Sequence, residues 1–172
     1  LSHGPRFPLR HRSDGKTGMA HDLWDYVDAA ATDEITHHRN RAAFDEITVN
    51  TRFLIDVDNR DLSTTVLGER IEFPVMLAPA GIQRHVHPEG ELASSRAASA
   101  AGTLYALPTG SGYSIEEVAE VATGPLWFQL YHLNDEITEL LVARAKAAGY
   151  QAICLTVDVP VASPKERDVK NR

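Results

Sequence analysis

Residues 126–157, LWFQLYHLNDEITELLVARAKAAGYQAICLTV, decide the fold. The segment opens on the run Leu126-Trp127-Phe128-Gln129-Leu130-Tyr131, apolar without alternation. It continues through a stretch in which Ile137, Leu140, Leu141 and Ala145 share one helical face, and closes on a second apolar run from Gln151 to Val157. A strand with apolar residues on both faces is covered on both faces. A helix of about ten to fifteen residues between two such strands is the pattern of a right-handed parallel crossover. Asn134 stands where the helix opens and Gly149 where it stops. The asparagine amide oxygen can accept from free N–H groups at a helix start, and glycine takes the left-handed conformation that ends a helix without steric penalty.

The same unit recurs upstream. Phe73-Pro74-Val75-Met76-Leu77-Ala78 predicts a first strand, the stretch from about Pro88 to Ala101 a helix, and Thr103-Leu104-Tyr105-Ala106-Leu107 a second strand. Another helix starts at Ser114, which has capping-box spacing to Glu117. Four parallel strands and three connecting helices therefore lie between about Phe73 and Asp158. Ahead of them, Leu23, Tyr26, Val27, Ala30 and Ala31 recur at helical spacing, and two helices fit Asp22 to Ile47. Arg52 to Ile71 holds two β-prone runs expected as strands outside the main sheet, Phe53-Leu54-Ile55 and Thr64-Thr65-Val66-Leu67, and Gly68, between Leu67 and Glu69, predicts the turn of a small hairpin. Residues 1–20, rich in Pro and Gly and carrying Arg6, Arg10, Arg12 and Lys16, read as a flexible basic arm. The expected division is thus an arm (1–20), an N-terminal helical segment with the hairpin (21–72), and an α/β unit (73–172).

Parallel strands of this kind build either an open doubly wound sheet or a closed (β/α)8 barrel. No Gly-x-Gly-x-x-Gly follows the first strand; Ala78-Pro79-Ala80-Gly81 does. A closed barrel takes about 250 residues, so four strands supply half of one.

The 172 residues are 43% hydrophobic and 24% charged, the composition of a soluble globular domain. With 17 Lys+Arg against 24 Asp+Glu the net charge is −7, which repels phosphate backbones and argues against a nucleic-acid partner. There is no membrane span and no apolar leader at the start, so a cytoplasmic location is expected. Cys154, alone in Ala152-Ile153-Cys154-Leu155, reads as a packed core thiol. His37-His38, His85 and His87 lack carboxylates at metal-ligand spacing, so no metal site is expected, and Glu116, Glu117 and Glu120 read as a solvated helix face.

Ligands of parallel α/β folds sit beyond the carboxyl ends of the strands. The chain leaves those ends through Ala78-Pro79-Ala80-Gly81, Leu107-Pro108-Thr109-Gly110, Gln129-Leu130-Tyr131 and Thr156-Val157-Asp158-Val159-Pro160. Small residues let a flat ligand approach backbone N–H groups. An amide, a phenol and a hydroxyl at one end suit a heteroaromatic ring with several donors and acceptors.

These residues carry a resemblance. Asp25-Tyr26, Leu62-Ser63-Thr64-Thr65-Val66-Leu67-Gly68, Ala78-Pro79-Ala80-Gly81, His87-Pro88-Glu89-Gly90-Glu91, Ser114-Ile115-Glu116-Glu117-Val118-Ala119, Phe128-Gln129-Leu130-Tyr131, Leu155-Thr156-Val157-Asp158 and Glu166-Arg167-Asp168 occur in order along the chain. Together they resemble the FMN-dependent 2-hydroxy acid oxidase and dehydrogenase family, which includes glycolate oxidase, lactate oxidase and mandelate dehydrogenase. The resemblance implies a TIM (β/α)8 barrel, of which this chain supplies the N-terminal helices, a small hairpin and about the first four strands. It implies FMN as cofactor and oxidation of a 2-hydroxy acid to a 2-oxo acid. Position by position, it implies that Pro79, Ala80 and Gly81 line the flavin near N5, that Gln129 and Thr156 hydrogen-bond the isoalloxazine edge, that Tyr131 meets the substrate hydroxyl and that Tyr26 meets its carboxylate.

The chain departs from the family at a few positions. Lys165-Glu166 stands where the family has an Arg-Glu pair, so a point charge replaces a planar fork at the substrate carboxylate. Pro108 stands where a serine usually contacts the flavin, with Thr109 expected in its place, and Gly110 stands where an aromatic residue is common. Ala29 and Ala30 occupy the positions of two glycines. In the family the base, a second carboxylate-binding arginine and the phosphate-binding loops belong to the second half. The expected partners are therefore a second polypeptide carrying the C-terminal half of the barrel, from a cut chain or a separate subunit, and further copies in a higher oligomer. The alternative is a non-catalytic half-barrel subunit that binds flavin or a partner without turnover.

Overall fold

The computed structural model of the chain describes residues 18–158 and 164–170. Most of the basic arm expected at residues 1–20, and the Val159-Pro160 exit of the last strand, lie outside the described residues. In chain order the elements are α1 (His21–Asp28), α2 (Ile35–Asp45), β1 (Thr64–Val66), β2 (Glu69–Ile71), α3 (Gln83–Val86), α4 (Gly90–Ala100), β3 (Tyr105–Pro108), α5 (Ile115–Val121), β4 (Leu126–Leu130), α6 (Asp135–Ala147), β5 (Ala152–Leu155) and α7 (Glu166–Lys170). They fall into two compact units, one holding α1, α2 and α7, the other everything described from Asp56 through β5.

The second unit is built on a parallel sheet in the order β3-β4-β5, with Leu107, Phe128 and Ile153 in one row and Pro108, Gln129 and Cys154 in the next. Tyr105, Leu107, Leu126, Phe128 and Leu130 pack with Ala98, Ile115, Val118, Ala145 and Tyr150, which places them on the helix-covered face. The pleat then turns Ala106, Pro108, Trp127, Gln129 and Cys154 to the opposite face. Phe128 and Tyr150 meet edge to face at 6.2 Å, and the Tyr150 hydroxyl donates to Ile115 O at 3.0 Å, so the ring is buried with its polar end satisfied. Burial pushes the Tyr150 phenol above its ordinary range.

The helix starts follow their sequence signals. Ser114 Oγ accepts from Glu117 N, and Ser114 N donates to the Glu117 carboxylate at 2.8 Å, a complete capping box. Asn134 Oδ1 accepts from Ile137 N at 2.8 Å, and Gly149, at φ +86°, ends α6. Glu117 is therefore a cap, and Glu116 pairs with Arg144 of α6 at 2.6 Å, so two of the three carboxylates expected on a solvated face have partners.

The strands differ from expectation in two places. Residues 73–78 are not a regular strand; they touch β3 through one parallel bridge, Leu77 with Tyr105, held by Leu77 N to Leu104 O and Ala106 N to Leu77 O, both 3.0 Å. Pro74 has no N–H to give a ladder, and the Thr103 hydroxyl donates to Val75 O at 2.7 Å. One backbone bridge and one side-chain bond thus hold the segment beside β3 where a full ladder was expected. The hairpin pairs Thr64–Val66 with Glu69–Ile71, and Phe53-Leu54-Ile55 is irregular. Leu67 and Gly68 both have positive φ, 48° and 88°, the signature of a two-residue hairpin turn that matches strand twist. That turn pairs β1 with the residues directly after it, and Phe53-Leu54-Ile55 belongs to neither sheet. Cys154 is half-buried and outside the core cluster, and desolvation pushes its thiol up.

In the first unit the Arg167 guanidinium gathers carboxylates from α1 and the start of α2. Its Nη2 reaches Glu34 Oε1 at 2.7 Å, and its Nη1 lies 3.3 Å from Asp28 Oδ2 and 3.6 Å from Asp25 Oδ1. Glu34 is held below its ordinary range, first by the Ala30 N–H and then by Arg167. No described helix is long and apolar enough to cross a membrane.

Candidate active site

At the carboxyl end of the sheet, three neighbouring strands are tied together by side chains. The Gln129 amide at the end of β4 is only 5% exposed, so each polar atom left unpaired there would cost about 1–3 kcal/mol. Its Oε1 accepts from Thr109 N at 3.0 Å, and its Nε2 donates to Thr156 Oγ1 at 2.7 Å. The Thr109 hydroxyl donates to Gln129 O at 2.6 Å and accepts from Tyr131 N at 3.0 Å. The exits of β3, β4 and β5 therefore form one network.

The remaining hydrogen-bonding capacity of the network follows from valence. Thr156 Oγ1 is an acceptor in this network, so its hydrogen is free to donate. Gln129 keeps one Nε2 hydrogen and one Oε1 lone pair. Thr109 has committed its hydroxyl hydrogen to a carbonyl and keeps only acceptor capacity. A donor, a second donor and an acceptor are thus presented side by side.

The Pro79-Ala80-Gly81 exit lies against the β3 exit. Ile82 N donates to Gly110 O at 3.0 Å, and a Cβ on Gly81 would stand 3.3 Å from the same oxygen, so the two loops approach as closely as a glycine permits. Tyr131, directly after β4, is 42% exposed. In the first unit, Lys165 Nζ donates to Tyr26 O at 3.0 Å and lies 4.6 Å above the Tyr26 ring, a cation–π pair. The structure thus brings Thr109, Gln129 and Thr156 together, sets Gly81 against Gly110, and joins Tyr26 to Lys165 within the other unit. Among the described residues no three His, Cys, Asp or Glu side chains are grouped to hold a metal ion.

Sequence reading passed over Gln83, a polar residue in a single helical turn with no apolar period to mark it, and took Glu91 only as a motif letter. Gln83 Nε2 donates to Ala80 O at one of the predicted exits, and Glu91 in turn accepts from Gln83 N. A carboxylate on the inward face of an amphipathic helix is the signal that could have found Glu91.

The sequence profile of the FMN-dependent dehydrogenase family matches residues 15–172. The chain belongs to this family. FMN is the family's cofactor. Glycolate oxidase 1 of Oryza sativa subsp. indica is 44% identical over 165 residues, 95% of this chain and 45% of that protein. An L-lactate oxidase of Nostoc sp. is 47% identical over 161 residues, 91% of this chain and 44% of its own length. Among solved structures, a soluble mutant of the membrane-associated (S)-mandelate dehydrogenase of Pseudomonas putida superposes with a TM-score of 0.90 at 36% identity, covering 95% of this chain and 47% of that one. The chain spans about half the length of the relatives it matches, and aligns with their N-terminal half. The structural neighbours are TIM barrels. The donor set fits the cofactor: the pyrimidine edge of a flavin mixes carbonyl oxygens and ring nitrogens with an N–H, and Gln129 with Thr156 offers both donors and an acceptor within one network.

Proposed function

We propose that this chain forms part of the FMN and substrate site of an enzyme that oxidises a 2-hydroxy acid to a 2-oxo acid. The observation that carries the reading is the Thr109–Gln129–Thr156 network at the carboxyl ends of three adjacent parallel strands. Bound FMN would supply the two-electron acceptor. Pro79, Ala80 and Gly81 would line its ring, Gln129 and Thr156 would hydrogen-bond its edge, and Thr109 would hold Gln129 in place. A donor fixed in a buried site before reaction stabilises developing negative charge at little reorganisation cost. Tyr131 would contact the substrate hydroxyl, while Tyr26 and Lys165 would hold its carboxylate.

In this reading a second half-barrel closes the sheet and brings the base that takes the hydroxyl proton. The intact mass of every polypeptide in the native preparation tells whether that half is a second chain or a continuation of this one. The division into an arm, a helical segment with hairpin and a half-barrel, the cytoplasmic location and assembly into a higher oligomer belong to the same proposal.

Anaerobic addition of a 2-hydroxy acid to the purified protein is expected to bleach a flavin absorption band. A yellow protein that no 2-hydroxy acid reduces would favour the non-catalytic reading, which draws on Lys165: its ammonium already donates to Tyr26 O and sits on the Tyr26 ring. Lys165→Arg then tests the carboxylate role. A bidentate fork in place of a point charge is expected to change KM by about tenfold, and an unchanged KM removes Lys165 from the substrate site.

A further inference from the structure

Behind the Pro79-Ala80-Gly81 exit lies a polar network that the functional reading does not use. Gln83 Nε2 donates to Ala80 O at 2.9 Å and to Tyr105 OH at 3.2 Å. Its Oε1 accepts from Ser94 Oγ at 2.6 Å, and its backbone N donates to Glu91 Oε1 at 3.1 Å. Both amide hydrogens and an acceptor are engaged, so the side chain has one conformation that satisfies all its partners. The partners come from the loop itself, from α4 and from β3.

Two features show that this arrangement is held under load. Glu91 is 0% exposed, and its Oε2 has no hydrogen-bond partner among the described residues. A polar atom buried without a partner is unfavourable, and it persists only where the groups around it hold it in place. Ile82, between Gly81 and Gln83, is left-handed at φ 54° and ψ 26°. For a β-branched residue that conformation is strained, and such strain persists only where the surroundings over-determine it. Here the surroundings are the Ile82 N–H to Gly110 O bond on one side and the Gln83 network on the other.

We propose that Gln83 and Glu91 are positioning residues of the flavin site, a strut that fixes the Ala80 carbonyl and the left-handed turn at Ile82 so that Pro79, Ala80 and Gly81 present their backbone to the ring. The proposal rests on the FMN reading given above. Glu91 orients Gln83 through its backbone N–H, and Gln83 in turn orients the loop through Ala80 O.

The test uses the protein together with whatever segment or subunit completes its barrel, and reads amide hydrogen exchange in the cofactor-free state alongside the FMN dissociation constant. Gln83→Met keeps length and volume and removes both amide donations. Losing the Ala80 bond is expected to raise exchange at residues 80–82 by about tenfold and to weaken FMN by a similar factor, with exchange in α6 unchanged. Glu91→Ala removes the acceptor for Gln83 N and is expected to raise exchange at residues 80–82 as well, while Glu91→Gln keeps an acceptor and is expected to restore it; wild-type exchange in Glu91→Ala removes Glu91 from the strut. If Gln83→Met does not fold, Tyr105→Phe removes one anchor only and is expected to give the same local pattern at a smaller amplitude.

Unchanged exchange at 80–82, or exchange raised equally in α6, overturns the strut. Local loosening with unaltered FMN affinity overturns its bearing on the flavin site. A wild-type protein that takes up no FMN sinks the functional reading itself, and cofactor-free exchange still decides whether Gln83 and Glu91 hold the loop.

Discussion

β4 and β5 have much the same composition and meet different surroundings. In β4, Leu126, Phe128 and Leu130 are buried beneath the helices, with strands on both sides. In β5, the next strand over, Ile153 and Leu155 share rows with Phe128 and Leu130 yet are 41% and 56% exposed, and the outer edge carries no strand among those described. Apolar character on both faces therefore marks a strand meant for the middle of a sheet, whichever place the described residues give it. The segment around Leu77 repeats the lesson on the other flank, where Phe73, Val75, Met76 and Leu77 are also exposed. An open parallel edge backed by apolar side chains is a surface that soluble proteins cover.

The largest effect expected from this contrast concerns residues 1–172 expressed alone. With no strand among the described residues beyond β5 and only a single bridge at Leu77 beside β3, the fragment is expected to aggregate or to bind a hydrophobic dye without a cooperative melting transition. A monomeric fragment with a single sharp transition would break the comparison. If the proposed second half-barrel covers β5, Phe128→Ala is expected to cost about 3–5 kcal/mol and Ile153→Ala about 2–4 kcal/mol by denaturant unfolding, the second side chain being then as covered as the first. A cost below about 1 kcal/mol for Ile153→Ala would mean that β5 remains an exposed edge.

The strand ends sharpen the contrast between covered and open regions, since Gln129 joins a paired polar network in an otherwise apolar layer. Gln129→Leu removes the bonds to Thr109 N and Thr156 Oγ1. It is expected to cost about 1–3 kcal/mol of stability and to weaken FMN by tenfold or more, measured by unfolding and by flavin fluorescence. Thr156→Val leaves Gln129 with its Thr109 partner and is expected to have the smaller effect of the two on stability.

Much of this was legible in the sequence where a signal is local. Ser114 with Glu117, Asn134 and Gly149 set helix ends by chemistry within a few residues, and the structure keeps each of them. The apolar runs located β3, β4 and β5 because burial on both faces leaves no alternation to misread. The first strand was overread because the pattern Phe73 to Ala78 is strand-like, while Pro74 and the sparse bonding to β3 are matters of backbone donors and neighbours. Phe53-Leu54-Ile55 is strand-like for a related reason: three β-prone residues carry a strand's composition, while a strand also needs a partner, which the two-residue turn at Leu67-Gly68 supplies to β1. The exits of the strands pointed to Gln129 and Thr156. Gln83 was illegible, since its value lies in partners from three separate stretches of chain.

The smallest expected effect lies in the capping box at the start of α5, where pH separates the two halves of the contact. The Ser114 N–H and hydroxyl hold the Glu117 carboxyl below its ordinary range. A carboxyl lowered in the folded state binds its proton more weakly there than in the unfolded chain. Its contribution is therefore present above the ordinary carboxylate range and is lost as pH falls through the lowered value. Ser114→Ala removes the hydroxyl that accepts from Glu117 N and is expected to cost about 1 kcal/mol at neutral pH. Glu117→Gln keeps a side-chain acceptor for Ser114 N and removes the charge, so its cost relative to wild type is expected to shrink as pH falls into the acid range, while that of Ser114→Ala shrinks only in part. A cost of Glu117→Gln that does not change with pH would mean that the carboxylate charge adds nothing to this helix start.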